Sequence, residues 1–529
     1  MRFSITKIIW NGDMVPYEQA QVSRIRGLLE SAHWLNAATV LEAACVVADT
    51  PNLYPVYVTS FKCTPDSFVL EYFKRIFDEA GKPWLVLQLD DHDSTLGYET
   101  RIEAGVASFR NHAARSGARA AGPAPAAALP VIPSTARRLG ARTLLFPNWD
   151  PLSCPLLAAN LRREGLDARL LDEDPHVIRR AMRHNTGQCL PLSIIAQEIV
   201  EYVRRYDLDP ARTAAWIPSS RISCNIGMFA PFIKSLLESA GDGMEGIEVY
   251  AGDFFYIDVS LRAPLNAYKA YLAGGLLRRA GCRIRPRERE PGAADRAIQA
   301  GLALLVPAFE GRRSRTRALQ EAAALLHAVP VDGRPLPRAA IFGDLYVRDN
   351  EVMNQGLIRA IETAGGEAVT TPYTEYMRIV SGAYFRKIAQ SGRRLDSLGY
   401  RALWETANLV ASRCAAPFAR YLDPPAPRDN RGAERFLAAF DIRPEHVGES
   451  FDNLLKVWHL ARVYPDLALF VQASPAFCCP SLVTEAMARQ IERLTGVPVV
   501  SITYDGTGQY KNDALTPYLG QGLRAARPA

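Results

Sequence analysis

Residues 473–486 read ASPAFCCPSLVTEA. They set two adjacent cysteines and a proline between a strand-like run, LALFVQAS (467–474), and a helix-like run, SLVTEAMARQIERLTG (481–496). A disulfide between neighbours is strained, so the pair reads as a reactive or metal-binding thiolate. Cys63, Cys189 (NTGQCLPLS) and Cys224 (SSRISCNIG) share that address, where a loop hands over to a helix. Helix N-termini stabilise thiolates through exposed N–H groups and the helix dipole. In open α/β sheets the same side carries the ligand crevice. Three or four thiolates on one rim suit an iron–sulfur cluster, which draws Cys ligands from distant loops. Unrelated rim or core cysteines are the bland alternative. Cys154 (PLSCPLL) fits the address less distinctively. Cys45 and Cys414 fall in apolar helical runs and Cys282 at a helix-to-strand turn, so these three read as structural thiols.

The nine cysteines are odd in number, widely spaced and without a CxxC pair, which argues against a disulfide framework or a zinc finger. At 529 residues the chain has room for about three domains. Its net charge of +6 is modest, and its arginines cluster around 114–142 and 278–318 without interleaved aromatics, so nucleic acid is not an expected partner. The opening MRFSITKIIWNGDM has no signal-peptide core, and no apolar run approaches the ~20 residues of a membrane helix. The expected compartment is the cytoplasm, with no membrane partner.

The elements that must position these thiols follow from the apolar pattern. ARSGARAAGPAPAAALPVIPSTARR (114–138) lacks apolar periodicity and reads as a flexible linker after a small N-terminal α/β module, 1–113. Beyond it strands and helices alternate: ARTLLFPN then PLLAANLRREG, TAAWIPSS then APFIKSLLESAG, AAIFGDLYV then NQGLIRAIETAGG. That alternation predicts stacked Rossmann-like or flavodoxin-like α/β subdomains with parallel sheets. A polar stretch near 290 divides them into lobes 139–290 and 291–529. Segments 54–91 and 467–505 also resemble each other: strand, Phe-x-Cys turn, helix, Gly-x-Pro, second strand, Asp. Aligning Cys63 with Cys479 leaves similar distances to Gly81 and Gly496. Helix caps explain the Gly and Asp of this repeat, but not a cysteine at the same turn twice.

The ordered words HNTGQCLPLSIIAQEIVEYV, SSRISCNIGMFAPFIKSLL, GDLYVRDNEVMNQGLIRAIETAGGEAV and FCCPSLVTEAM…YDGTGQ resemble the 2-hydroxyacyl-CoA dehydratase component family. More closely they are similar to the C-terminal part of the large acyl-CoA dehydratase activase-related proteins. SFKCTPDSF…GKPWLVLQLDDHDSTLGYETRIEA resembles the preceding segment of those proteins. The resemblance covers most of 54–113 and 140–510. It implies flavodoxin-like subdomains and [4Fe–4S]-type or double-cubane clusters. It also implies low-potential electrons from a separate ATP-dependent activase and dehydrating or reductive chemistry on an acyl-CoA. On that resemblance Cys189, Cys224 and Cys479 are the metal ligands, with Cys478 a second ligand or a packed neighbour and Cys63 a further cofactor-binding residue. The family's ATPase halves have no counterpart here. YDGTGQ (504–509) has a phosphate loop's composition without its context, so the chain by itself is not an expected ATPase. The N-terminal module looks truncated against the long proteins, which implies a split-gene partner chain or a homodimer. A non-catalytic electron-relay or scaffold subunit and a metal-free α/β ligand-binding protein are the other readings.

Ser219, Ser220 and Glu449 are candidate catalytic residues. The two serines could hold a thioester carbonyl or phosphate, or simply belong to a charged loop with Arg221. Glu449 opens a helix in HVGESFDNLLKVWHLAR, where capping is the default role. Asp90, Asp91 and His92 at a strand end, like Asp505 and Thr507, read first as caps.

Overall fold

Buried strands and amphipathic helices alternate along the chain, and every strand pair is parallel. The computed structural model describes residues 22–519 except 33, 61–62, 91–94, 117–138, 140–141, 220–223, 254–255, 257–258, 261, 391, 393, 423–430 and 444–447. β1 (Val56–Ser60) and β2 (Leu85–Leu89) form a two-stranded sheet across the helix Thr64–Glu79. A four-stranded sheet holds β3 (Thr143–Phe146), β4 (Asp167–Leu170), β5 (Thr213–Pro218) and β6 (Glu248–Gly252) in the order β4-β3-β5-β6. A second holds β7 (Arg338–Gly343), β8 (Glu367–Val369), β9 (Leu467–Pro475) and β10 (Val499–Tyr504) in the order β10-β9-β7-β8.

Read from the β4 and β8 edges, the two large sheets have one topology: second strand, first, third, fourth. The order reverses between β3 and β5 and again between β7 and β9. Such a switch point opens a crevice at the carboxyl ends of the strands. The molecule is therefore a stacked, parallel-sheet α/β protein of Rossmann-like or flavodoxin-like subdomains. Strand burial fits this build. β5 is buried at all six positions, as a central parallel strand covered on both faces must be, whereas β1 alternates exposed and buried.

The helices Ala293–Phe309 and Arg315–His327, placed by sequence in the second lobe, pack on the first. Leu305, Phe309 and Leu319 share a core with Leu156, Leu157 and Trp216. The second sheet begins only at Arg338. Cys282 lies inside the helix Ala263–Ile284 and not at a helix-to-strand turn. The preceding Gly281, which reads as a helix stop, is a packing glycine. A Cβ there would meet Arg285 Nη1 at 2.3 Å and Ile298 Cδ1 at 2.8 Å.

The N-terminal module is docked. Phe68, Tyr72 and Phe77 share one core with Leu192, Ile195 and Phe232, and the Phe68 and Phe232 rings meet edge-on at 5.5 Å. Residues 114–116 of the expected linker complete the helix Thr95–Ser116, and 117–138 lie outside the described residues. No helix among the described residues is long and apolar enough to cross a membrane.

Candidate metal centre

Four of the nine cysteines are helix N-caps. Cys63 precedes the helix Thr64–Glu79, Cys189 the helix Leu190–Arg205, Cys224 the short 3-10 turn Asn225–Met228, and Cys478 the helix Cys479–Ala486. Cys63, Cys189 and Cys478 share a local rule, Cys-x-Pro, with proline in the first turn of the helix. Proline costs no hydrogen bond there and its φ is pre-set for the helix. Cys63 and Cys478 each stand 18 residues before a left-handed glycine, Gly81 (φ +61°) and Gly496 (φ +72°). The counterpart of Cys63 in the internal repeat is thus Cys478 by cap position, with Cys479 one residue past it. Both halves of the repeat fold as strand, helix, parallel strand.

Cys189, Cys224 and Cys478 lie on the connections that follow β4, β5 and β9, and Asp344 follows β7. Cys189 and Cys478 are neighbours, and both are nearly fully buried. Cys224, partly buried, donates to Glu449 Oε2 at 3.3 Å, and the Cys478 thiol reaches Asp344 Oδ2 at 3.8 Å. Ligand atoms of Asp344, Glu449 and Cys478 lie within 4.8 Å of one another. Backbone ties hold the parts in place. Leu190 N–H donates to the Ala476 carbonyl at 3.2 Å, joining the Cys189 loop of the first lobe to the Cys478 turn of the second. Phe477 within that turn takes φ +64°, a left-handed conformation uncommon for an aromatic residue. Thr64 Oγ1 donates to the Phe477 carbonyl at 2.8 Å, and Gln188 Nε2 to the Ser67 carbonyl at 2.7 Å. The N-terminal module therefore clamps both thiol-bearing loops.

The electrostatics are those of a site short of positive charge. The neighbouring Cys478 thiol, then burial, pushes the Cys189 thiol well above its usual range. Burial and the Glu449 carboxylate do the same to Cys224. At Cys478 the Cys189 thiol beside it favours the thiolate, but burial near Glu449 and Asp344 outweighs this and the thiol is raised. Burial, then Asp344, lifts Glu449 to about 8, and burial lifts Asp452 to about 7. Lys456 Nζ donates to the Gly343 carbonyl at 3.0 Å and, buried near Arg348, is lowered to about 7. A bound cation would reverse this pattern, because it deprotonates thiols that burial alone keeps neutral. Among the described residues Glu449 Oε1, Asp452 Oδ1 and both ends of the fully buried Asn453 have no hydrogen-bond partner. Buried polar atoms are nearly always satisfied, so these mark a place built around something more than the side chains present.

The expected site residues divide clearly. Cys189 and Cys224 lie in the thiol trio, and the third member is Cys478. Cys479, in the first helical position, is only partly buried, and its charged neighbours are Cys478 and Cys63. Cys63 lies beside Cys479 at the module interface, outside the trio. Glu449 takes the Cys224 thiol, while Ser450 Oγ donates to the Pro480 carbonyl at 3.0 Å, so this pair links three elements and does not simply cap a helix. Ser219 extends the β5–β6 pairing through its N–H to Gly252 at 2.8 Å. Ser220, Asp91 and His92 lie outside the described residues. Asp90 is exposed at the end of β2, and Asp505 holds the Thr507 N–H at 3.0 Å, a turn-capping role. Cys45, Cys154 and Cys282 are buried within helices.

The sequence reading missed Asp344, Asn453, Asp452 and Lys456. One signal was present: Glu449, Asp452, Asn453 and Lys456 follow i, i+3, i+4, i+7, a polar stripe on one helix face. Such a stripe normally faces water, but all four are buried here. No protein-family model matches the chain, and no curated protein matches its sequence.

Proposed function

We propose that the chain is an iron–sulfur protein of the 2-hydroxyacyl-CoA dehydratase type, with Cys189, Cys224 and Cys478 as the cluster thiolates. The observation that carries this reading is the meeting of two buried thiols and one partly buried thiol, contributed by both lobes, at the carboxyl ends of parallel strands. The donor set fits such a group: soft sulfur ligands from separate loops, with Glu449 offering an unsatisfied oxygen on the same side. When bound, the cluster supplies low-potential one-electron chemistry for dehydration or reduction of an acyl-CoA thioester.

The chain's own residues provide the rest. Glu449 and Asp344 flank the thiols with oxygen donors. Lys456 and Arg348 are the cations near these groups, and the Arg348 guanidinium stands over the Tyr373 ring at 5.0 Å. Electrons come from a separate ATP-dependent activase in this reading. The YDGTGQ segment supports that division of labour, because Asp505 turns it inward onto Thr507 and Lys511. Nine free thiols suit a reducing compartment, here the cytoplasm. A second reading, an electron-relay or scaffold subunit without thioester chemistry, draws support from the depth of the site. Asp344, Glu449 and Cys478 are each at most 7% exposed.

Anaerobic purification and reconstitution with iron and sulfide test the proposal. The expected product is brown, with about four irons per chain and an electron paramagnetic signal after reduction. Protein that stays colourless and iron-free overturns it. Shifts of that signal on adding acyl-CoA esters favour the dehydratase reading, and an unchanged signal favours the relay.

A further inference from the structure

A second site lies in the helical layer of the first lobe. The middle of the long helix Ala263–Ile284, the end of Ala293–Phe309, the start of Arg315–His327 and the end of Arg394–Ala415 enclose a cavity of about 260 Å³. Its floor is apolar: Ala273, Phe309 and Leu319. Its rim carries Lys269 and Arg315, with Cys414 beside them. Arg315 sits over the Phe309 ring at 5.7 Å and donates to Asn266, which fixes its direction.

The charge at this rim is unbalanced. Arg163 adds to the field felt by Lys269 and Arg315, and among the described residues none of the three has an acidic ion-pair partner. This contrasts with neighbouring arginines, such as Arg162 on Glu310 at 2.7 Å and Arg317 on Glu321 at 3.0 Å. Burial and then Arg315 lower Lys269, and burial and then Arg163 lower Arg315. The 13-residue helix beginning at Arg315 turns its positive dipole end to the same rim. Ser314 caps only its third N–H, that of Arg317. Two cations without an acidic partner, a third close by, and a helix N-terminus over an apolar floor cost stability unless an anion completes them.

We propose that this cavity binds a small organic phosphomonoester, its phosphate on Lys269, Arg315 and the helix N-terminus and its apolar body on Phe309 and Leu319. The dianionic head matches the cluster of cations, and guanidinium and ammonium groups are the usual phosphate partners. The volume lies just below the roughly 300 Å³ of ordinary small-ligand sites, so the body is about one ring in size. The site is separate from the thiol trio and does not depend on the function proposed above.

Phenyl phosphate is the probe. Calorimetric titration of the full chain should show binding, with inorganic phosphate at least about tenfold weaker and phenol silent, since each lacks half of the recognition. Lys269→Gln and Arg315→Gln should each weaken phenyl phosphate at least about tenfold. Ala273→Leu, which fills the floor without touching charge, should abolish it, and circular dichroism checks the fold of each variant. Phenyl phosphate should also slow alkylation of Cys414 by iodoacetamide, read peptide by peptide, while Cys63 and Cys479 react at an unchanged rate. Absence of binding, equal affinity in the folded Arg315→Gln variant, or an unprotected Cys414 would overturn the proposal.

Discussion

The two four-stranded sheets share a strand order, and in each an aspartate follows the first strand, yet the two aspartates live in opposite environments. Asp150, four residues past β3, accepts from the Leu152 N–H and the Ser153 hydroxyl. Asp344, directly after β7, accepts from the Tyr346 and Val347 N–H groups. In the first lobe the Arg278 guanidinium closes on Asp150 at 2.6 Å, with Asp349 at 3.7 Å, and Asp150 is held below its usual range despite full burial. In the second lobe the free oxygen of Asp344 faces the Cys478 thiol, and burial pushes that carboxyl up. One topology thus yields one switch point with a neutralised aspartate and one whose aspartate faces a thiol. The difference is the cation that the long helix Ala263–Ile284 supplies to the first crevice only.

Removing that cation should give the largest effect. Arg278→Met leaves Asp150 buried and unneutralised, while Arg348 still holds Asp349 at 2.9 Å, so it should destabilise the fold by about 3–5 kcal/mol in a urea melt. Asp344→Asn, at the matching place, keeps an oxygen for both N–H groups and should cost about 1 kcal/mol or less. Equal losses would mean that the two switch points are not different in kind.

Glu173, after β4, sharpens the contrast from within the first lobe. Burial lifts its carboxyl to about 8. Asn350 and Arg278 oppose the shift, while Glu351 and Asp150 reinforce it. A raised carboxyl keeps its proton in the folded chain after the unfolded chain has lost it. Stability should therefore fall as pH rises from the ordinary glutamate range toward about 8. Glu173→Gln should remove the Glu173 share of that slope, leaving those of Glu449 and Asp452, and gain on the order of 1–3 kcal/mol at pH 8 relative to pH 5. Urea midpoints at the two pH values check the sign, and a parallel slope in the variant would assign it to other groups.

The smallest effect concerns the clamp on the Cys478 turn. Thr64→Val removes the bond to the Phe477 carbonyl and should cost about 1 kcal/mol. It should also speed hydrogen exchange in residues 474–480 without altering exchange around Asp150. A uniform change in both places would make Thr64 an ordinary core contact.

Much of this fold was legible because it is local. The strand runs at 143–146, 213–218 and 338–343, with the helices after them, are short apolar segments whose type follows from length and period. The cysteines at loop-to-helix handovers were legible for the same reason. The register of the CysCys pair was not. Phe-x-Cys spacing points to Cys479, whereas Cys-x-Pro and the 18-residue distance to glycine point to Cys478. Only the cap geometry decides which thiol turns inward. Asp344 and Lys456 were out of reach because their role exists only once β7, β9 and the helix Glu449–Val463 are packed together. The helices at 293–327 were assigned to the wrong lobe because an amphipathic pattern shows that a face is buried, not against which sheet.

The most direct test of the account sets Cys478→Ser against Cys479→Ser, adjacent residues with the same chemistry and opposite predicted roles. Each variant is reconstituted anaerobically beside the parent chain and its iron counted, with Cys189→Ser and Cys224→Ser as companions. The account predicts that Cys478→Ser loses most of its iron, as the two companions do, because a hydroxyl is a poor ligand for this metal, while Cys479→Ser keeps nearly all of it. Full iron in Cys478→Ser together with loss in Cys479→Ser would contradict it.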